Sequence, residues 1–187
     1  TGVWGPQPFT FTGQHVWTKG GHILPPPKQR PRPPILIAGG GERTTLRHVA
    51  RYGDACNFGP GRNTGAVRSP NDVRRKLHVL REHCQAIGRP FHDIVRTHFT
   101  TWLMLAETER AALKKLRRYY PEGLTEEQHV TRIYGTPDLV HPYYQELADA
   151  GIEYFVVQTL DAADEDTIRL LGEAVAPSIR PGPPFAE

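Results

Sequence analysis

With 187 residues, 38% of them apolar, the chain is long enough to bury one sizeable core, which excludes a disordered chain, a collagenous one and a stapled mini-protein. The net charge of +3 and a pI of about 9.0 arise from basic residues spread over several segments, so no nucleic-acid partner is expected. Cys56 and Cys84 stand outside any paired motif, which rules out a disulfide framework and leaves two ordinary buried thiols.

From Gly5 to Pro34 the chain is rich in proline and glycine, and Pro25-Pro26-Pro27 and Pro31-Arg32-Pro33-Pro34 fix extended backbone. Within it, Phe9 to Gly13 and His15-Val16-Trp17 suit the two strands of a hairpin. Thr1 is not an initiator methionine, and the sequence reads as an excerpt. Ile35-Leu36-Ile37-Ala38 is a continuous apolar run ended by Gly39-Gly40-Gly41, as expected of a strand buried on both faces. It is far too short to cross a bilayer, and no leader-like apolar stretch opens the chain, so a cytoplasmic protein without a membrane partner is expected. A helix follows, with Leu46, Val49 and Ala50 on one face and Gly53 as its end.

Asp54 to Gly59 reads as a second strand, and Ser69-Pro70-Asn71-Asp72 opens a helix to about Ile87 with an apolar stripe of Val73, Leu77, Leu80, Cys84 and Ile87. Ile94 to Leu105 is a third strand, before a charged helix over Glu107 to Tyr120 with Leu113, Leu116 and Tyr120 inward. Thr136-Pro137-Asp138 starts another helix with Leu139, Tyr143, Leu147 and Ala150 on one side, and Gly151 closes it. Ile152 to Leu160 is the fourth strand and Glu165 to Ala176 the last helix. Four strand-then-helix units in series predict an α/β fold with a parallel sheet, either doubly wound or closed. Since a whole (β/α)8 TIM barrel takes roughly 250 residues and eight units, four make about half of one.

Pro33 to Asn57, with the run Ile35-Leu36-Ile37-Ala38-Gly39-Gly40-Gly41-Glu42-Arg43-Thr44-Thr45, resembles the luciferase-like monooxygenase superfamily, in particular its coenzyme F420-dependent subgroup. Lys76-Leu77 through His83-Cys84 to Gly88-Arg89, and Tyr134-Gly135-Thr136-Pro137-Asp138 on to Phe155, resemble the same family's second half in order and spacing. Phe11-Thr12-Gly13-Gln14-His15 and the proline-rich run resemble the insertion before its fifth barrel strand. The resemblance implies a single domain over residues 1–187, with 1–34 the insertion and 35–187 the fifth to eighth βα units of the barrel. It implies an oxidoreductase acting by hydride transfer on a small-molecule substrate, with F420 as cofactor and FMN as the alternative.

Barrel enzymes place their sites at the C-terminal ends of strands, where a glycine-rich turn into a helix holds phosphate. Gly39, Gly40 and Gly41 occupy such a junction, Arg43 adds positive potential and Thr44 a hydroxyl donor; the resemblance gives this turn the cofactor phosphate. The same glycines also suit a plain tight turn. No lysine follows at the P-loop position and no spaced dinucleotide glycines occur, which disfavours ATP and NAD. Asn57, at the end of the second strand, is expected to face the barrel mouth and touch cofactor or substrate, with Gln158 or Thr159 as further candidates. No metal site is expected, since His78 and His83 diverge on their helix, and no catalytic residue is assigned. With the first four strands absent, the rival reading is a catalytically incomplete half-barrel that does not turn over alone, and the unpaired strand edges predict a homo-oligomer.

Overall fold

The computed structural model describes residues 2–183, which fall into two compact units divided between Ile35 and Leu36. In the first unit β1 (Phe9–Thr12) pairs antiparallel with β2 (Trp17–Gly21). The Gly13 amide donates to the Val16 carbonyl at 2.9 Å, so His15 and Val16 form the turn and the second strand starts later than the sequence suggests.

The second unit is a parallel sheet backed by helices. Its strands are β3 (Leu36–Ala38), β4 (Ala55–Phe58), β5 (Val95–Leu105), β6 (Ile133–Gly135) and β7 (Tyr154–Thr159). Its helices are α1 (Thr45–Tyr52), α2 (Pro70–Gln85), α3 (Glu109–Tyr119), α4 (Glu126–Thr131), α5 (Pro137–Asp149) and α6 (Glu165–Leu170). Every pairing in this sheet is parallel, in the order β3-β4-β5-β7, which is the expected partial barrel. β6 and α4 were not anticipated: β6 pairs with Leu103–Leu105, on the side of β5 that β4 has by then vacated. Three residues are too few to show a period in sequence.

The break in register along β5 has a local cause. Trp102 has φ +56, a left-handed conformation that a bulky residue rarely adopts, and the register with β7 shifts between Thr100 and Leu103. β5 stays paired with β7 on both sides of the bulge, over Thr97–Thr100 and again at Leu103. After it, Leu103 and Leu105 pack with Val140, Tyr144, Leu170 and Val175 in an outer cluster.

Register and burial separate the two faces of the sheet. Ile37, Cys56, Phe58 and Phe155 face the helices and pack on Leu46, Val49, Leu77 and Leu80. On the other face Leu36, Ala55, Val95 and Tyr154 lie in neighbouring register, and Leu36, Val95 and Tyr154 are exposed. A closed barrel buries that face; here it is open, and β3 and β7 each have one neighbour in the sheet among the described residues.

Helix α2 starts as its sequence demands. Ser69 accepts from the Asp72 amide at 3.2 Å, the Asp72 carboxylate accepts from the Ser69 amide at 3.1 Å, and Pro70 takes the first helical position. Ser69→Ala is expected to cost about 1 kcal/mol, measured as a lowered midpoint in urea. Its stripe is Val73, Lys76, Leu77, Leu80 and Cys84, with Ile87 outside it and exposed, because α2 has ended at Gln85.

The face of α5 is a second correction. Val140, Tyr144, Leu147 and Ala148 are buried, Tyr143 is half-buried and Leu139 is 56% exposed. Leu139 stands instead over Gly135, where an added Cβ would meet its Cβ at 3.2 Å. In α3 Leu116 and Ala112 are buried, whereas Leu113 is exposed. α6 is shorter than expected and passes into a wide π turn over Leu171–Val175, just before Pro177 removes an amide donor. No helix among the described residues is long and apolar enough to cross a membrane.

Candidate functional site

The glycine turn sits where β3 runs into α1, at the C-terminal end of the sheet. The Gly39 amide donates to the Asn57 carbonyl at 2.9 Å, which ties the turn to the next strand, and Gly39 has φ +112. Gly40 is buried against the loop after β4: a Cβ there would meet the Gly65 Cα at 2.8 Å and the Lys76 Cε at 3.2 Å. Its lack of a side chain serves backbone packing. Gly41, Arg43 and Thr44 are exposed.

Beyond Gly39 the amides of the turn are open. Among the described residues none of the backbone N–H groups from Gly40 to Thr45 donates to a protein acceptor, although the Gly41 carbonyl accepts from Leu46 at 3.0 Å. Thr44 stands at the N-cap of α1 yet makes no side-chain cap bond, so its hydroxyl is uncommitted, and Arg43 has no carboxylate partner among the described residues. Free amides, a free hydroxyl, a guanidinium and the positive end of α1 together make a donor set suited to an anion.

Lys76 fixes the turn from below, a role the sequence did not reveal because a lysine on an apolar stripe reads as a surface residue. Only 9% of its side chain is exposed, and its ammonium donates to the Gly40 carbonyl at 2.6 Å and to Glu42 Oε1 at 2.9 Å. Arg75 reaches the same oxygen at 2.6 Å, and His83 Nε2 meets the Glu42 carbonyl at 2.7 Å. The hydrogen bond from Lys76 holds the Glu42 carboxyl below its ordinary range, so it stays ionised and neutralised at the foot of the turn.

Asn57 is half-buried on the inner face and lies one residue before the end of β4. Its side-chain amide lies 2.8 Å from the Thr97 hydroxyl, whose single proton also serves the Cys56 carbonyl at 2.8 Å. Gln158 and Thr159 end β7, away from the β3 edge in the strand order, and are half-buried. Burial pushes the Cys56 thiol up to about 12 and raises that of Cys84, so neither is a nucleophile. Lys115, from the basic run of α3, is spent on structure: it donates to the Leu105 carbonyl at 2.7 Å and to Asp164 at 2.5 Å.

Residues 1–168 match the family described as luciferase-like monooxygenase. The chain belongs to that family. Among solved structures it is similar to an F420-dependent secondary alcohol dehydrogenase in complex with an F420-acetone adduct, at 14% identity and TM-score 0.70, over 95% of this chain and 58% of that one. It is also similar to the coenzyme F420 dependent tetrahydromethanopterin reductase of Methanopyrus kandleri, at 16% identity and TM-score 0.65, over 95% of this chain and 60% of that one. The oxygenating constituent of 3,6-diketocamphane monooxygenase of Pseudomonas putida, in complex with FMN, matches at 17% identity and TM-score 0.64, over 96% of this chain and 60% of that one. At such identities the likeness is one of fold. The chain thus spans about three fifths of the length of these relatives.

Proposed function

We propose that this luciferase-like chain is the cofactor-phosphate half of an F420-dependent oxidoreductase, with FMN as the alternative cofactor. The observation that carries the proposal is the row of unpaired amides at the glycine turn, beside Arg43 and the Thr44 hydroxyl, at the C-terminal end of a parallel barrel sheet. In this reading the amides of Gly41 to Thr44 and the Arg43 guanidinium hold the phosphate, while Gly39 and Gly40 set the turn on which those amides stand. Asn57 offers its side-chain amide to the ring-bearing part of the cofactor. The bound cofactor supplies the redox chemistry, and this chain's residues bind and orient it. A small-molecule substrate and a cytoplasmic site of action belong to the same proposal.

Titrating the full-length protein with F420 and with FMN tests it. Saturable binding of F420 is expected, weakened about tenfold in Arg43→Ala, which removes one charge-assisted hydrogen bond to the phosphate. Tighter binding of FMN selects the alternative cofactor, and no binding of either removes the reading.

A second reading, a half-barrel that does not turn over alone and pairs with another copy, is favoured by the open inner face at Leu36, Val95 and Tyr154. Cofactor reduction by the 187-residue chain on its own refutes it.

A further inference from the structure

The loop after β4 separates the glycine turn from a second cavity on the same rim. On one side of this loop Gly65 packs against Gly40. On the other, Gly61 and Thr64 line a cavity of about 350 Å³ with Thr101, Thr125, Gln128 and Arg132. That volume falls in the range of small-molecule sites.

Hydrogen-bond accounting gives the cavity a sign. The Arg132 guanidinium lies against the rings of Trp102 and Tyr120, with 5.4 and 5.6 Å to their centroids. Its Nε donates to the Tyr120 hydroxyl at 2.8 Å and one terminal nitrogen to the Thr131 hydroxyl at 2.6 Å. Its other N–H groups have no acceptor and it has no carboxylate partner among the described residues. Gln128 Oε1 accepts from the Thr125 amide at 2.8 Å, which turns the Gln128 NH2 away as a donor, and the Thr125 oxygen accepts from the Gln128 amide, which leaves its own proton to give. The Thr64 and Thr101 hydroxyls donate to the Gly61 and Thr131 carbonyls at 3.0 and 2.7 Å and so fix the wall. Glu127, the one acidic residue of the lining, is exposed and makes no ion pair with Arg132. The spare capacity is therefore mostly donors around a fixed cation, and the left-handed Trp102 holds the ring on which that cation rests.

We infer that this cavity binds the anionic group of a small molecule, a carboxylate or a phosphate, with Arg132 as its charge partner and Gln128 and Thr125 as supporting donors. The anion site stands on the lining itself and does not rest on the oxidoreductase reading.

Amide spectra of the 15N-labelled chain during titration with sodium phosphate and with sodium acetate test the inference. The Gln128 side-chain NH2 and the Thr125 and Thr131 amides report this cavity, whereas the Gly41 to Thr44 amides report the glycine turn, so failure of either assignment is seen separately. Saturable shifts of the first set are expected with at least one of the two salts, and the salt that binds more tightly identifies the group. Affinity should fall tenfold or more in Arg132→Met, and severalfold in Arg132→Lys, which keeps the charge without the planar fork. Shifts that sodium chloride reproduces at equal ionic strength, shifts unchanged in a folded Arg132→Met, or no shifts at all overturn the inference.

Discussion

Gly40→Ala is expected to lower stability by about 1–3 kcal/mol, the usual cost of forcing a methyl group into a packed site. The new Cβ would stand 2.8 Å from the Gly65 Cα and 3.0 Å from the Gly65 carbonyl oxygen, both backbone atoms, so one loop has to move. The amides of the turn move with it, and if the turn holds the cofactor as proposed, affinity for it should fall about tenfold or more alongside the melting temperature. Gly172→Ala is the control: no heavy atom outside its own helical backbone lies within 4 Å of its added Cβ, and it is expected to be neutral or slightly stabilising. Calorimetric melting of both variants with cofactor titration checks the pair. Equal stability and equal affinity in Gly40→Ala and the unmodified chain would show that the two loops are not locked together.

His98→Leu should make the protein less sensitive to acid. His98 is fully buried between the sheet and α5, with the rings of Tyr143 and Phe155 edge-on at 6.1 and 6.4 Å. Neither ring nitrogen has a hydrogen-bond partner of good geometry among the described residues. Burial lowers its pKa from 6.5 to about 4, against a small opposing pull from the Val67 backbone. A base whose pKa falls on folding takes up more protons when unfolded, so its contribution is complete above pH 6.5 and is lost as pH falls towards about 4. Over that window the loss amounts to about 3 kcal/mol. In His98→Leu this component vanishes, and at neutral pH stability should be equal or higher, since two unsatisfied polar atoms leave the core. Urea midpoints for both proteins from pH 7 to pH 4 test this; parallel curves would remove His98 as the source.

Much of the sheet was legible because its strands carry their own signals. The run from Ile35 to Ala38 and its glycines, the capping residues at Ser69 to Asp72 and the stops at Gly53 and Gly151 mark elements where the structure has them. Periodicity alone placed α5 less well, since Leu139 and Val140 are both apolar and the choice between them depends on Gly135, which offers Leu139 a seat outside the core. The resemblance to luciferase-like proteins supplied the barrel, and the family match bears it out.

The rim was harder to read. Gly39 to Thr44 could be singled out because a glycine run between a strand and a helix is visible in sequence, and in the structure the Gly39 amide ties that turn to Asn57 on the adjacent strand. Lys76 and Gly65 were missed, as their roles exist only once α2 and the loop after β4 close on the turn. Arg132 was missed for the same reason: it lies between α4 and β6, and both are too short to announce themselves.

The bulge at Trp102 also has an optical consequence. The other two tryptophans, Trp4 and Trp17, belong to residues 1–35, so within the remainder of the chain there is a single indole, against the Arg132 guanidinium that lines the second cavity. Its emission wavelength is thus a built-in gauge of the electric field there, legible without any attached dye once Trp4 and Trp17 are exchanged for phenylalanine.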